Sequence, residues 1–302
     1  MRESNSLLLS RPLSYHPPGN GVSEILRITP FVWLNLVCLD APIVALTWQW
    51  LFSRNFHISL TPWSRAALFL TGWLIYLTDR LADTWTLGEN SSRSLRQEFC
   101  QRHQRAWIAA IAGIGVVDLF IIIHQLDRKT IHFGIVVGAI SLVYLTVNYW
   151  LGKVWRFLPL KEICVGSLFA FGTVTALFPQ IDFSTAFIAA FLLFASLCSF
   201  NCISIAAWER KLDRAQRKDS IATRWNGIGF CLRPGAFALV VLAISMAIRT
   251  KSSAPVYVCI ATSAVLLGTL DGLGERIPRD GRTALADLVL LTPLFFWGLG
   301  IA

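Results

Sequence analysis

The sequence predicts an all-helical protein that crosses a membrane several times. Its 302 residues are 55% apolar and 15% charged, and the mean hydropathy is +0.57. Ordinary soluble domains carry about 25% charged residues, and runs of about 20 apolar residues, each long enough to span a bilayer, recur along this chain. Helices follow because backbone polar groups in lipid must be satisfied within their own segment.

The chain divides into a polar tail and an apolar remainder. Residues 1–28 are mixed and polar, so we expect a short cytoplasmic tail and no signal peptide. Residues 29–302 are expected to form a single transmembrane helical domain. Proline residues fall at or near several ends of its apolar runs, where proline punctuates helices. The nine predicted spans are 30–52, 64–85, 106–124, 132–151, 161–179, 184–207, 233–250, 255–273 and 284–301.

The basic residues predict which side each loop faces. Of the 27 Lys and Arg residues, 20 lie in the tail and the loops after even-numbered spans, and 6 lie on the other side. By the positive-inside rule, the N-terminus is cytoplasmic in a multi-pass protein of the plasma or inner membrane. The net charge of +9 then faces an anionic leaflet, and we expect no nucleic-acid partner. Two cytoplasmic loops, at about 86–105 and 208–232, are longer than a helix turn requires.

Two acidic pairs lie at the predicted cytoplasmic ends of even-numbered spans. Asp79 and Asp83 occur in LIYLTDRLADTW, and Glu209 and Asp213 occur in WERKLDRAQRKDSIATR. Both pairs are spaced i,i+4, so each places two carboxylates on one helix face. The alternative is that these carboxylates lie at ordinary helix ends, near the lipid headgroups, where they are solvated by water.

A divalent cation would offset the cost of these pairs. Like charges at i,i+4 destabilise a helix by about 0.2–0.5 kcal/mol, and a carboxylate deep in a membrane costs at least about 2.5 kcal/mol. Mg²⁺ is usually held by one or two carboxylates together with water and substrate phosphates. The two pairs are therefore candidate ligands for one or two Mg²⁺ ions over a diphosphate.

A basic segment between the acidic pairs supplies candidate phosphate contacts. In NYWLGKVWRFLPLKE, Lys153, Arg156 and Lys161 lie at the predicted cytoplasmic end of the fourth span. Tyr149 precedes Lys153 by one helical turn on the same face. The alternative is that these charges only set the topology.

These stretches resemble the motifs of the UbiA superfamily of intramembrane prenyltransferases. The family's first motif is N-D-x-x-D-x-x-x-D. The corresponding residues here are Ile75, Tyr76, Asp79 and Asp83, so the last two acids match and the leading Asn-Asp does not.

Two further motifs follow in the family's order. Its Y-x-x-x-K matches Tyr149 to Lys153. Its second acidic motif resembles Glu209, Asp213 and the RAQRK that follows, with Asn201 two turns before Glu209. The first span, LDAPIVALTWQW, also looks like the family's opening helix.

The resemblance implies a fold and a chemistry. About nine helices would surround a central cavity, and Mg²⁺ would bind an isoprenyl diphosphate whose diphosphate then leaves. The allylic carbocation would alkylate an aromatic or other lipophilic acceptor, such as a quinone precursor, a tetrapyrrole or a lipid alcohol. The resemblance implies three sets of site residues. The catalytic residues would be Asp79, Asp83, Tyr149 and Lys153, and the metal ligands would be Asp79, Asp83, Glu209 and Asp213. The residues that contact the isoprenyl diphosphate would be Lys153, Arg156 and Asn201.

Departures from the family pattern leave other functions open. Tyr76 stands where the family has a metal-binding acid, and Glu209 replaces an aspartate. The chain is therefore an active transferase, one with an unusual donor, or a catalytically inactive relative. A transporter or lipid-binding protein would instead place acids near mid-membrane in two symmetric halves.

Two acids lie apart from these motifs. Asp40, in LDAPI, is either a site residue or the partner of a buried polar group. Asp287 is expected to pair with Arg282 near the interface. The sequence predicts neither the acceptor nor the oligomeric state.

Overall fold

The computed structural model describes residues 30–88, 91–150 and 160–299. Apart from Pro30, they belong to one unit, Phe31–Ala302. These described residues form helices and short connections, without a β-strand among them. In chain order the helices are α1 (Pro30–Leu36), α2 (Asp40–Asn55), α3 (Pro62–Trp85), α4 (Leu95–Arg102), α5 (Gln104–Gln125), α6 (Arg128–Trp150), α7 (Lys161–Val174), α8 (Thr185–Ala215), α9 (Ile221–Arg224), α10 (Ile228–Arg249), α11 (Ala254–Leu273), α12 (Arg279–Leu288) and α13 (Pro293–Leu299).

Five of the described helices are long and apolar enough to cross a membrane. They cover Gln104–Gln125, Arg128–Asn148, Thr185–Ala215, Ile228–Arg249 and Ala254–Leu273. Length and composition thus support the expected all-helical, multi-pass membrane protein. The count of nine spans and the sidedness of the loops stay predictions.

Three of the predicted spans differ most from the helices in the structure. The first span is two helices, α1 and α2, separated at residues 37–39, and the last is divided between α12 and α13. The sixth span continues as helix to Ala215 because its charged extension, WERKLDRA, consists mostly of good helix formers. Glu209 and Asp213 therefore lie on a helix and not in a loop.

An aromatic and aliphatic core joins α2, α8 and α11. Trp48 is fully buried and stacks on Phe194 at 4.4 Å between ring centroids. Tyr257, also fully buried, donates its hydroxyl to the Ala186 carbonyl at 3.2 Å. The Trp48 indole donates to the Leu290 carbonyl at 2.7 Å, so both polar ends have a partner, as an apolar core requires.

The outer faces of α5, α6 and α10 are apolar and exposed. Val116 on α5, Leu142 on α6 and Phe237 on α10 are 70%, 65% and 69% exposed. Helices that are apolar around most of their circumference are typical of segments that face lipid.

The packing of α7 on α8 depends on the absence of a side chain at Gly166. A Cβ atom at this position would lie 2.3 Å from the Ser199 nitrogen and 2.6 Å from the Cys198 carbonyl carbon. Only a shift of one helix against the other could relieve such a contact with backbone atoms.

We predict that Gly166→Ala destabilises the protein by at least about 1–3 kcal/mol, the usual cost of overpacking. Thermal unfolding of the full chain in detergent measures the effect. Gly172→Ala is the matched control, because it lies on the same helix with nothing within 4 Å of its added methyl group. It should be neutral or stabilising by up to about 1 kcal/mol. Equal melting temperatures for both variants would contradict the close α7–α8 approach.

Candidate functional site

The first acidic pair lies in the last turns of α3. Asp83 Oδ2 accepts a hydrogen bond from Lys218 Nζ at 2.7 Å, although 135 residues separate the two in sequence. Both side chains are about one-quarter exposed. Lys218 follows the end of α8 by three residues, so this ion pair joins the end of α3 to the end of α8.

The second acidic pair lies in the last turns of α8. Glu209 is 7% exposed, and Arg96 Nη2 donates to both of its carboxylate oxygens, at 2.8 and 2.7 Å. Thr283 Oγ1 donates to Glu209 Oε1 at 3.2 Å. A buried carboxylate with a charged donor and a hydroxyl donor is well satisfied.

The short helix α4 carries Arg96 and is fastened at two further points. At its N-terminus, the Ser94 amide donates to Gln97 Oε1 at 2.9 Å. Gln216, one residue past α8, donates its Nε2 to the Ser92 carbonyl at 2.7 Å and to Gln97 Oε1 at 2.9 Å. The segment after α3 therefore folds back onto the end of α8.

These contacts bring the two acidic pairs to the same end of the helices. Lys161, the first residue of α7, and Lys218 lie within electrostatic range of both Asp83 and Asp213. Arg80 lies within electrostatic range of Asp79 and Asp83. We call Asp79, Asp83, Glu209, Asp213, Arg80, Arg96, Lys161 and Lys218 the charged cluster.

The charged cluster does not have the form of a metal cage. Among the described residues there is no group of three or more His, Cys, Asp or Glu side chains placed to hold a metal ion. Glu209 does not fit the role of a ligand, because Arg96 and Thr283 already bond its oxygens. Asp79 and Asp83 do fit the arrangement in which one or two carboxylates share Mg²⁺ with phosphate oxygens.

Asn201, which was predicted to contact the isoprenyl diphosphate, lies deeper in the protein than Glu209. It is eight residues before Glu209 on α8, or about 12 Å along a helix that rises 1.5 Å per residue. Its Nδ2 donates to Asp287 Oδ1 at 2.9 Å. Asp287 thus bonds to Asn201, whereas the guanidinium of Arg282, its expected partner, lies over the Trp208 ring at 4.9 Å.

Tyr76, which replaces an acid of the family motif, lines a small cavity of about 20 Å³ that residues of α2, α3, α7, α8 and α12 surround. Asn201, Cys202 and Asp287 also line it. The tyrosine is therefore part of this deeper polar region, and it also lies within electrostatic range of Asp79 in the charged cluster.

Part of the predicted site cannot be placed. Lys153 and Arg156 lie outside the described residues, and Tyr149 is described only as a backbone position in α6. Lys218 is the last residue of the predicted RAQRK motif, but its pairing with Asp83 was not predicted, because only the fold shows that the end of α8 returns to α3. Lys161 is one of the predicted phosphate contacts, and Arg96 is a basic residue of the first motif loop.

Comparison of the whole chain with protein-family models, with curated proteins and with solved structures found no match.

Proposed function

We propose that this chain is a UbiA-like intramembrane prenyltransferase, which moves an isoprenyl group from an isoprenyl diphosphate to a lipophilic acceptor. The observation that carries the proposal is the charged cluster, in which acids of α3 and α8 lie close to lysine and arginine side chains. A diphosphate with Mg²⁺ needs both kinds of partner. The finer architecture of nine spans around a central cavity, with the cluster facing the cytoplasm, belongs to the same proposal.

The donor's diphosphate would bind to the cationic members of the cluster. Lys161 and Lys218 carry ammonium groups on flexible side chains, and an ammonium group binds phosphate as a point charge. Lys218 now neutralises Asp83. When a metal takes that carboxylate, Lys218 would be released to the diphosphate, so total charge in the cluster stays balanced.

Asp79 and Asp83 would hold Mg²⁺ together with phosphate oxygens, and the bound ion would supply charge neutralisation to the departing diphosphate. The allylic C–O bond breaks, and its electron pair leaves with the diphosphate. The acceptor's nucleophilic atom then bonds to the carbocation and gives up one proton to water or to the released diphosphate. Arg96, bonded to Glu209, positions α4 over the end of α8 and limits the access of water to the reacting carbon.

The first prediction concerns ligand binding. Mg²⁺ and a non-hydrolysable farnesyl or geranylgeranyl diphosphate analogue should enhance each other's binding, and together raise the melting temperature by roughly 5 °C at a hundredfold excess over Kd. Asp79→Asn should abolish this mutual enhancement. Glu98→Gln, which changes an exposed acid on α4, is the matched control and should keep it. An unshifted melting temperature in the unaltered protein would count against the transferase.

The second prediction concerns turnover. Asp79→Asn and Asp213→Asn should each lower Mg²⁺-dependent release of diphosphate from geranylgeranyl diphosphate by about 10²–10³, because each removes charge that orders the leaving group. The assay supplies a membrane lipid extract as the acceptor source, and mass spectrometry identifies the prenylated product. Both variants should stay folded in detergent. Unchanged turnover in both would exclude the proposed roles of these residues.

A further inference from the structure

Two helices are interrupted next to buried aspartates. Residues 37–39 separate α1 from α2, and Asp40 is the first residue of α2. Residues 289–292 separate α12 from α13, and Asp287 lies in the last turn of α12. In membrane proteins, interrupted helices are tolerated where the protein buries them, and they commonly form ion or substrate sites.

Side chains from neighbouring helices satisfy the interrupted backbone. At the first break, Trp73 Nε1 donates to the Val37 carbonyl at 2.9 Å. At the second break, Trp48 Nε1 donates to the Leu290 carbonyl at 2.7 Å, and Ser263 Oγ donates to the Val289 carbonyl at 2.9 Å. The two breaks are therefore built into the packing and are not frayed helix ends.

The two aspartates lie near each other. Asp40 lies within electrostatic range of Asp287, and so does Arg96. Asp40 is 4% exposed and accepts from Asn35 Nδ2 at 2.5 Å and from the Ala41 amide at 2.9 Å, while Asp287 accepts from Asn201. Within the part of the chain that the structure describes, neither aspartate makes a salt bridge to Lys or Arg.

One oxygen beside this pair has no partner. Asn201 is 4% exposed, and its Oδ1 atom is buried without a hydrogen bond among the described residues. Asn201 and Asp287 both line the cavity of about 20 Å³, which has room for roughly one water-sized particle. An unsatisfied buried amide oxygen is costly, so its position at the cavity indicates a ligand there.

We propose that Asp287 and Asn201 bind one monovalent cation of the Na⁺ type in this cavity. The donors are carboxylate and amide oxygens, which hard cations prefer. Among the described residues that line the cavity, Asp287 is the one acidic side chain, so a monovalent ion matches its single charge. Mg²⁺ retains several waters when it binds, and the cavity has no room for them.

The end of α12 favours the same ligand. Asp287 lies at the C-terminal end of α12, where the helix dipole is negative and attracts a cation. The cation would therefore lie next to a negative helix end.

Radioactive ²²Na⁺ binding to the purified full chain in detergent, without added Mg²⁺, tests the proposal. The unaltered protein should bind about one Na⁺ per chain, and its melting temperature should be higher in NaCl than in choline chloride at equal ionic strength. Asp287→Asn and Asn201→Ala should each weaken binding at least tenfold. The second variant keeps both acids, so the test stands if the first fails to fold.

Two controls should keep Na⁺ binding unchanged. Asp280→Asn alters a partly exposed acid on α12 that pairs with Arg279. Asp79→Asn alters the charged cluster, so a transferase defect is distinguished from a cation-site defect. The proposal is overturned if the unaltered protein shows no saturable Na⁺ binding, in which case the cavity holds only water. It is also overturned if Mg²⁺ or Ca²⁺ binds this site in preference to Na⁺ and Asp287→Asn abolishes that binding.

Discussion

A polar group inside a layer of apolar helices must find its partner within the protein, and the arrangement of α3, α8 and α12 follows from that constraint. Glu209 is almost fully buried, and Arg96 and Thr283 reach it from two other helices. The carboxyl groups of Asp40 and Asp287 are paired with amides in the same way. Because of these contacts, a packing that separates these helices would leave a buried charge or amide without its partner.

The polar residues form two levels with different chemistry. The charged cluster, at the ends of α3 and α8, contains both acids and bases, which suits a large anion that carries a metal. About 12 Å deeper along α8, Asn201 and Asp287 line a cavity with room for about one water-sized particle. The shallow level supports the proposed transferase, and the deep level resembles an ion site. Tyr76 lies on α3 one turn before Asp79 and lines the deep cavity, so it links the two levels.

The sequence predicts the helices, and it predicts that the two carboxylates of each acidic pair share one helix face, because both features follow from local spacing. The apolar residues on both sides of the break at 37–39 resemble one span, so hydropathy does not predict the break, although Asp40 and Pro42 are typical of a helix start. Cys38 adopts a left-handed φ of 57°, which an apolar pattern does not indicate. The sequence also fails for Asp287, which is close in sequence to Arg282 but bonds to Asn201 from another helix. Partners chosen by long-range packing, such as Lys218 for Asp83, leave no periodic signal in the chain.

The contact that joins the segment after α3 to the second acidic pair is Arg96 with Glu209, and a double-mutant cycle measures it. Arg96→Gln and Glu209→Gln should each lower the free energy of unfolding of the full chain in mixed micelles by about 1–3 kcal/mol. The double variant should lose less than the sum, with a coupling free energy of about 1 kcal/mol or more. Losses that add to within about 0.5 kcal/mol would contradict the account, because Arg96 and Glu209 would then not join α4 to α8.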